Sequence, residues 1–370
     1  MRVRAVETGA DRRRFLDLPH LLHGDHPLWV PELRRDITFA MNRRKHPFYR
    51  HSDAAFFVAL DGNRTLGRLS VMEHRPSNQF HGRREAFFHH FECMDDAAVA
   101  QAMFSAAGEW AVGRGLDSLV GPKGMLPTDG HGILVDGFEH PPVVGVAWHP
   151  PYYGGLIEAA GLEKAADYLS GPAEMGHEVP DQVFEAADQV AVEVGYGFKD
   201  FKSRREVRRW SKRLGALYNA TFEDNFEYSP IDEAEMKVVA DQFLPIVDPR
   251  LIVLLMHDDE IVGYLFMLPD VSDALRRIRG RLLPLGWWHL LREVKRTDRV
   301  VMIAFGLMPE HRGVGANLLM YATVVRHADE YRYDRAEIVQ VEEGNIPMMK
   351  NMALVEVPWT KRHRMYRMGL

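Results

Sequence analysis

With a single cysteine, Cys93, this chain of 370 residues has no internal disulfide framework and no cysteine-based zinc cluster. It also has no apolar run of 18 residues, so nothing in it reads as a membrane-spanning helix. The start, Met1-Arg2-Val3-Arg4-Ala5-Val6-Glu7, lacks the apolar stretch of a signal peptide. A reducing, cytoplasmic setting is expected, and no metal. Nor is the chain rich in positive charge: 46 Lys and Arg against 52 Asp and Glu give a formal charge of −6. With no base-stacking motif beside its basic runs, nucleic acid is not an expected partner. What remains is ordinary globular material, 46% hydrophobic and 26% charged, and long enough for two domains with substantial cores.

The most telling stretch is 300–319, Val-Val-Met-Ile-Ala-Phe-Gly-Leu-Met-Pro-Glu-His-Arg-Gly-Val-Gly-Ala-Asn-Leu-Leu. It reads as a buried strand, an Arg-Gly-x-Gly loop, and a helix whose Leu318, Ala322 and Val325 recur at helical spacing. Glycines allow close approach, and a helix start leaves its first N–H donors unpaired, so such a loop makes a pyrophosphate cradle. A P-loop needs Gly-x-x-x-x-Gly-Lys followed by Ser or Thr. A dinucleotide site needs Gly-x-Gly-x-x-Gly with an acidic residue about 20 positions later. Neither pattern is met here.

The chain also reads as a doubling. Residues 54–76 hold two apolar runs around Asp61-Gly62-Asn63, and 249–271 repeat the scheme around His257-Asp258-Asp259-Glu260, with Gly263 in the place of Gly67. Phe91-Glu92-Cys93-Met94-Asp95 leads into a helix through Trp110, as Phe305 to Pro309 lead into the helix after the glycine loop. Pro150-Pro151-Tyr152-Tyr153 opens a helix ending near Gly161, and Asn345-Ile346-Pro347-Met348 opens another. Four elements in the same order predict two copies of one fold, residues 1–175 and 176–370, linked around Gly171 to Pro180. The copies differ at the cradle. Asp95-Asp96-Ala97-Ala98 replaces the glycine loop in the first, and two carboxylates repel a pyrophosphate, so cofactor binding falls to the second. The first copy is then expected to be a structural partner, with Thr128 to Gly132 and His140 to Tyr153 read either as a rigid irregular loop packed on the sheet or as one wall of the acceptor site.

The loop Arg312-Gly313-Val314-Gly315-Ala316-Asn317 resembles the acetyl-CoA signature of the Gcn5-related N-acetyltransferases (GNAT), with Asn317 where Gly or Ala is usual. The resemblance implies two tandem GNAT-like domains of mixed α/β class, each a largely antiparallel sheet flanked by helices, the first degenerate. It implies that an acyl-CoA thioester is the co-substrate. Leu307, Met308 and Arg312 to Asn317 would hold it, with the strand Val300 to Met308 splayed from Arg335 to Val341. Asn345 matches an Asn that contacts the pantetheine arm in that family. Seven positions on, where a Tyr often protonates the leaving thiolate, this chain has Met352. Tyr321, Tyr366, or helix donors stabilising the free thiolate are the alternatives.

Amide formation needs the thioester carbonyl polarised, the amine neutral and the thiolate stabilised. The strand end Val341-Glu342-Glu343-Gly344 would lie beside the thioester, so Glu343, with Glu342 second, is the expected proton acceptor. Strand alternation allows only one of the two to face the cleft.

Val271 to Arg296 is an insertion where a turn would suffice. It combines Arg276, Arg277, Arg279, Arg281 and Arg292 with Trp287, Trp288 and several leucines, the composition of an element that meets anionic lipid. Solvated faces, CoA phosphate contacts or a dimer surface are the other uses of such a segment. Nearly the whole chain is similar to tandem acyltransferase-like bacterial proteins, some of which look like ceramide synthases. The leading expectation is therefore an acyl-CoA-dependent N-acyltransferase moving a long acyl chain onto a sphingoid-base-like lipid amine, at the inner face of the membrane. An N-acetyltransferase for a small soluble amine, and a non-catalytic acyl-CoA sensor, are the alternatives.

Overall fold

The computed structural model describes residues 1–174, 180–331, 333–354 and 356–370. The junction expected between residues 175 and 176 lies outside them. The described chain builds one mixed sheet of 13 strands: β1 Arg2–Ala5, β2 Asp53–Asp61, β3 Arg64–Glu73, β4 Glu85–Cys93, β5 Ser118–Gly121, β6 Ile133–Asp136, β7 Glu163–Glu174, β8 Gly197–Lys199, β9 Ile252–His257, β10 Glu260–Pro269, β11 Arg299–Leu307, β12 Arg335–Glu342 and β13 Lys361–Gly369. Their order in space is β1-β2-β3-β4-β5-β13-β7-β12-β11-β10-β9-β8, with β6 paired to β13 beside this row.

Helices cover both faces, because alternate strand residues point to opposite sides. Phe88 packs under the helix Ala97–Val112, whereas its neighbour Phe87 packs with Phe15 and Phe48 across the sheet. Leu255 and Leu254 divide the second half's two apolar layers in the same way. The two expected hairpins are β2/β3 and β9/β10. In the second, Asp258 and Asp259 both take positive φ, +48° and +63°, as a tight turn matched to strand twist requires.

The halves exchange strands. β13, the last element of the chain, runs antiparallel to β5 and β6 of the first half, and its Tyr366 is wholly buried in that half's core. β7, from the first half, pairs with both β13 and β12.

Candidate active site

The site is built on a gap. β11 and β12 pair in parallel only from Arg299/Arg335 to Met302/Ile338. Two irregularities drive them apart beyond that point. On β11 the pairing with β10 skips Ile303, since Phe266 faces Ala304 while Met267 faces Met302. On β12, Gln340 has φ +53° where the register with β7 shifts between Ile338 and Val341. The β11 edge facing the gap is left without a strand partner, so its backbone donors and acceptors are open to an extended ligand.

The gap opens into a cavity of about 790 Å³, lined at one side by Arg312, Gly313 and Asn317 and elsewhere by Leu214, Phe222, Phe243 and Val247. This is toward the upper end of the roughly 300–1,000 Å³ typical of small-molecule sites. The apolar wall comes from the helices Arg204–Phe222 and Glu233–Phe243. His131, Thr128, Val144 and Tyr168 of the first half close the remaining side.

In the glycine loop, Gly313 and Gly315 have φ +80° and +87°, the region only glycine enters freely. The N–H groups of Gly313, Val314, Gly315, Ala316 and Asn317 have no backbone acceptor among the described residues, and the helix Ala316–Tyr331 starts there. Five such donors and a helix N-terminus lie within one short loop, an arrangement suited to an anion. Arg312 is held by its Nε donating to the Leu307 carbonyl at 3.1 Å, and the Nη1 of its half-exposed guanidinium lies 3.8 Å from the exposed Asp224 carboxylate. Ala316 is buried, whereas Val314 points to solvent. Leu307 is buried on β11, and Met308 is pinned by its N–H to the Val262 carbonyl.

The first half shows the opposite state at the matching places. Its helix Ala97–Val112 is capped by Asp96, whose carboxylate accepts from the N–H groups of Ala98 at 2.9 Å and Val99 at 3.4 Å. Its own gap, beyond the short β4/β5 pairing that ends at Phe87/Val120, is bridged where the Lys123 N–H donates to the Phe88 carbonyl. Donors that lie open in the second half are satisfied internally in the first.

The two candidate carboxylates part as strand alternation demands. Glu342 lines the cavity and accepts from the Gly344 N–H at 2.8 Å. Glu343 turns to the basic cluster around Asp167, with its carboxylate 2.6 Å from Lys164 Nζ and 3.4 Å from Arg362. Asn345 reaches the cavity, but its Oδ1 is also occupied in capping the next helix through the Met348 N–H at 3.1 Å. Met352 packs into a core cluster with Ile338, Val341 and Val357. Tyr321 and Tyr366 do not line the cavity. Four other tyrosines do, Tyr168, Tyr218, Tyr228 and Tyr264. The Tyr264 hydroxyl is buried with the Thr221 hydroxyl beside it, and burial holds its phenol well above the usual range. His131 stacks on Tyr168, and the Gln340 amide clamps its backbone by accepting from its N–H and donating to its carbonyl. Burial pushes the His131 imidazole down to about 3, so the ring is neutral.

The pattern of solved structures agrees with this geometry. A tandem GNAT protein from the clavulanic acid biosynthesis pathway superposes over 100% of this chain and 98% of its own, with a TM-score of 0.58 at 13% identity. This chain has the tandem GNAT fold. A second structure with this fold, a GCN5-related N-acetyltransferase from Sphaerobacter thermophilus, gives a TM-score of 0.52 at 13% identity over 100% of this chain and 95% of that one. No family model matches. By sequence, the chain is 29% identical over 375 residues to the bacterial ceramide synthase of Caulobacter vibrioides, covering 99% of this chain and 96% of that protein. It is 25% identical over 377 residues to protein YghO of Escherichia coli K12, covering 98% and 94%. In this tandem GNAT fold the open glycine loop, the strand gap and the cavity all belong to the second half, walled by the first.

Proposed function

We propose that the protein is an N-acyltransferase that takes a long acyl chain from acyl-CoA and places it on a lipid amine of the sphingoid-base type. The observation that carries this reading is the continuity of the site. An anion cradle of five free N–H groups opens through a strand gap into an apolar cavity far larger than an acetyl group needs. The Caulobacter relative, a ceramide synthase by name, supports the substrate class.

The chemistry follows from the residues present. The cradle and Arg312 hold the diphosphate, and the unpaired β11 edge holds the pantetheine arm in extended form. The amine nitrogen attacks the thioester carbonyl carbon, and its proton passes to the Glu342 carboxylate on the cavity wall. The C–S bond then breaks, and the thiolate takes the proton that Glu342 accepted from the amine, which restores the carboxylate. Neutral His131 does not compete for the amine proton, and its clamped loop fixes the acceptor side of the chamber.

The test is thiol release with acyl-CoA donors of increasing length and sphinganine as acceptor. Each buried methylene contributes about 0.8 kcal/mol, or roughly fourfold in kcat/KM, until the cavity is full. Ala240 lines the apolar wall, so Ala240→Trp should remove the long-chain advantage and leave acetyl-CoA turnover unchanged. A flat chain-length series with turnover of small amines would assign the protein to acetyl transfer. Thioester binding without any turnover would assign it to sensing.

A further inference from the structure

The insertion 271–296 forms two short helices, Ser272–Arg277 and Gly286–Val294, joined by the segment 278–285. At its crown Leu283 is 81% exposed, Leu285 63%, Trp287 50% and Trp288 46%, with Pro284 exposed between them. Scattered exposed apolar residues are ordinary. Four large ones within six positions are not.

The base of the insertion is firmly built. Ala274, Leu275 and Leu290 are buried, with Ile278 and Leu282 packed beside them, in the apolar cluster that holds Val207, Leu214, Phe243 and Val247 of the cavity wall. Gly280 lies against the Glu32 carbonyl, where a Cβ would come within 2.3 Å, and its own carbonyl accepts from the Arg34 N–H at 3.0 Å. The crown is therefore presented by a fixed platform.

The charge in this segment is predominantly positive. The segment carries seven basic residues, Arg276, Arg277, Arg279, Arg281, Arg292, Lys295 and Arg296, against Asp273 and Glu293, while the whole chain is at −6. Arg276 pairs with Asp273 and Arg277 with Glu293. Arg279, Arg281, Arg292, Lys295 and Arg296 are exposed with no carboxylate partner among the described residues. Arg292 sits 5.3 Å over the Trp288 ring. An anionic bilayer matches both features at once, with phosphates for the arginines and hydrocarbon for the apolar tip.

We infer that Leu283, Leu285, Trp287 and Trp288 insert into the headgroup boundary of an anionic bilayer, with Arg279, Arg281 and Arg292 on lipid phosphates. This deepens the lipid-amine reading by naming how such an acceptor reaches the site: the base on which the tip stands packs in one apolar cluster with the cavity wall. It does not rest on turnover, so the two can fail separately.

The experiment is cosedimentation of the full chain with vesicles of phosphatidylcholine containing about one-third phosphatidylglycerol, and with pure phosphatidylcholine. The expected result is binding to the anionic vesicles, at least tenfold weaker on neutral ones and weaker as salt rises from about 0.1 M to 1 M. The L283S/L285S/W287S/W288S variant should lose binding at least tenfold while keeping its melting temperature and its turnover of detergent-dispersed substrate. An Arg279→Gln/Arg281→Gln variant, which leaves the apolar tip intact, should lose only the preference for anionic vesicles. Wild-type protein that stays in the supernatant, or a four-serine variant that partitions like wild type, overturns the inference. So does a wild-type dimer that the four-serine variant dissolves without any vesicle binding, which would give the tip to a second copy.

Discussion

The two loop glycines can be told apart by what an added methyl group would meet. At Gly313, φ is +80° and no heavy atom lies within 4 Å of a built Cβ, so Gly313→Ala introduces backbone strain alone, roughly 1–2 kcal/mol. At Gly315, φ is +87° and the Cβ would come within 2.7 Å of Val190 Cγ2 and 3.0 Å of Cγ1, on the helix Asp181–Val194. Gly315→Ala therefore adds overpacking of about 1–3 kcal/mol to the same strain. Val190→Ala deletes both contacting atoms, so the double variant should recover the packing part and keep the strain. Urea denaturation and calorimetric titration with palmitoyl-CoA read the two components. In Gly313→Ala the loop can relax out of the strained region. Binding then has to restore it, and affinity should fall roughly 5–30-fold with little loss of stability. Gly315→Ala should lose stability outright, and its cycle with Val190→Ala should show a coupling of about 1–3 kcal/mol. Unchanged affinity in Gly313→Ala would mean that the five amides do not grip the thioester. Strict additivity at the second pair would mean that Gly315 is not pressed on its neighbour.

Glu342→Gln should lower kcat by on the order of a hundredfold with KM for the thioester little changed, whereas Glu343→Gln should keep kcat within about threefold, because its carboxylate is spent on Lys164 and Arg362. Steady-state assays near neutral pH decide it, and the reverse ranking returns the proton to Glu343. Acid should unfold the protein early. Burial lowers His46 and His363 to about 4 and His74 to about 3, so their stabilising effect is whole above pH 6.5 and is lost as pH falls from there toward the folded values. Each contributes about 2 kcal/mol of destabilisation by about pH 5. A melting temperature that stays level from about pH 7.5 to pH 5 would contradict this burial.

How much of this was legible in the sequence depends on how local each signal is. The hairpin turns, the helix starts and the glycine loop are fixed by residues a few positions apart, and all form where the pattern predicts. The mixed sheet and the GNAT fold follow from them. The exchange of β13 and β7 carries no local signal, because strand pairing across nearly 200 residues is decided by topology rather than by spacing. The choice between Glu342 and Glu343 was open for a related reason. Alternation says that one faces in, but the irregularity at Gln340 resets which one, and a positive φ at glutamine is invisible in a sequence. Tyr264 and Tyr218 carry no local signal because they come from β10 and a helix that only the fold brings together, whereas His131 did carry one. The available hint was the glycine- and histidine-rich run Thr128 to Gly132, read mainly as a rigid loop.

Retaining a half with no cradle of its own has a physical reason in this arrangement. β13 stands between β5 and β7, so the first half's sheet is continuous only when the C-terminal strand fills it, and β12 is paired on its far side only by β7. The cavity inherits that dependence. His131 and Tyr168 form the wall opposite the helices, and Gln340 on β12 holds the His131 loop at the same residue whose positive φ breaks the strand register. The strand gap and the wall that faces it are thus set by one stretch of β12, and β7 is the strand against which that stretch is aligned. Asp96 caps the first half's helix, so the donors at its start are already satisfied, while the strand exchange keeps the two halves in register.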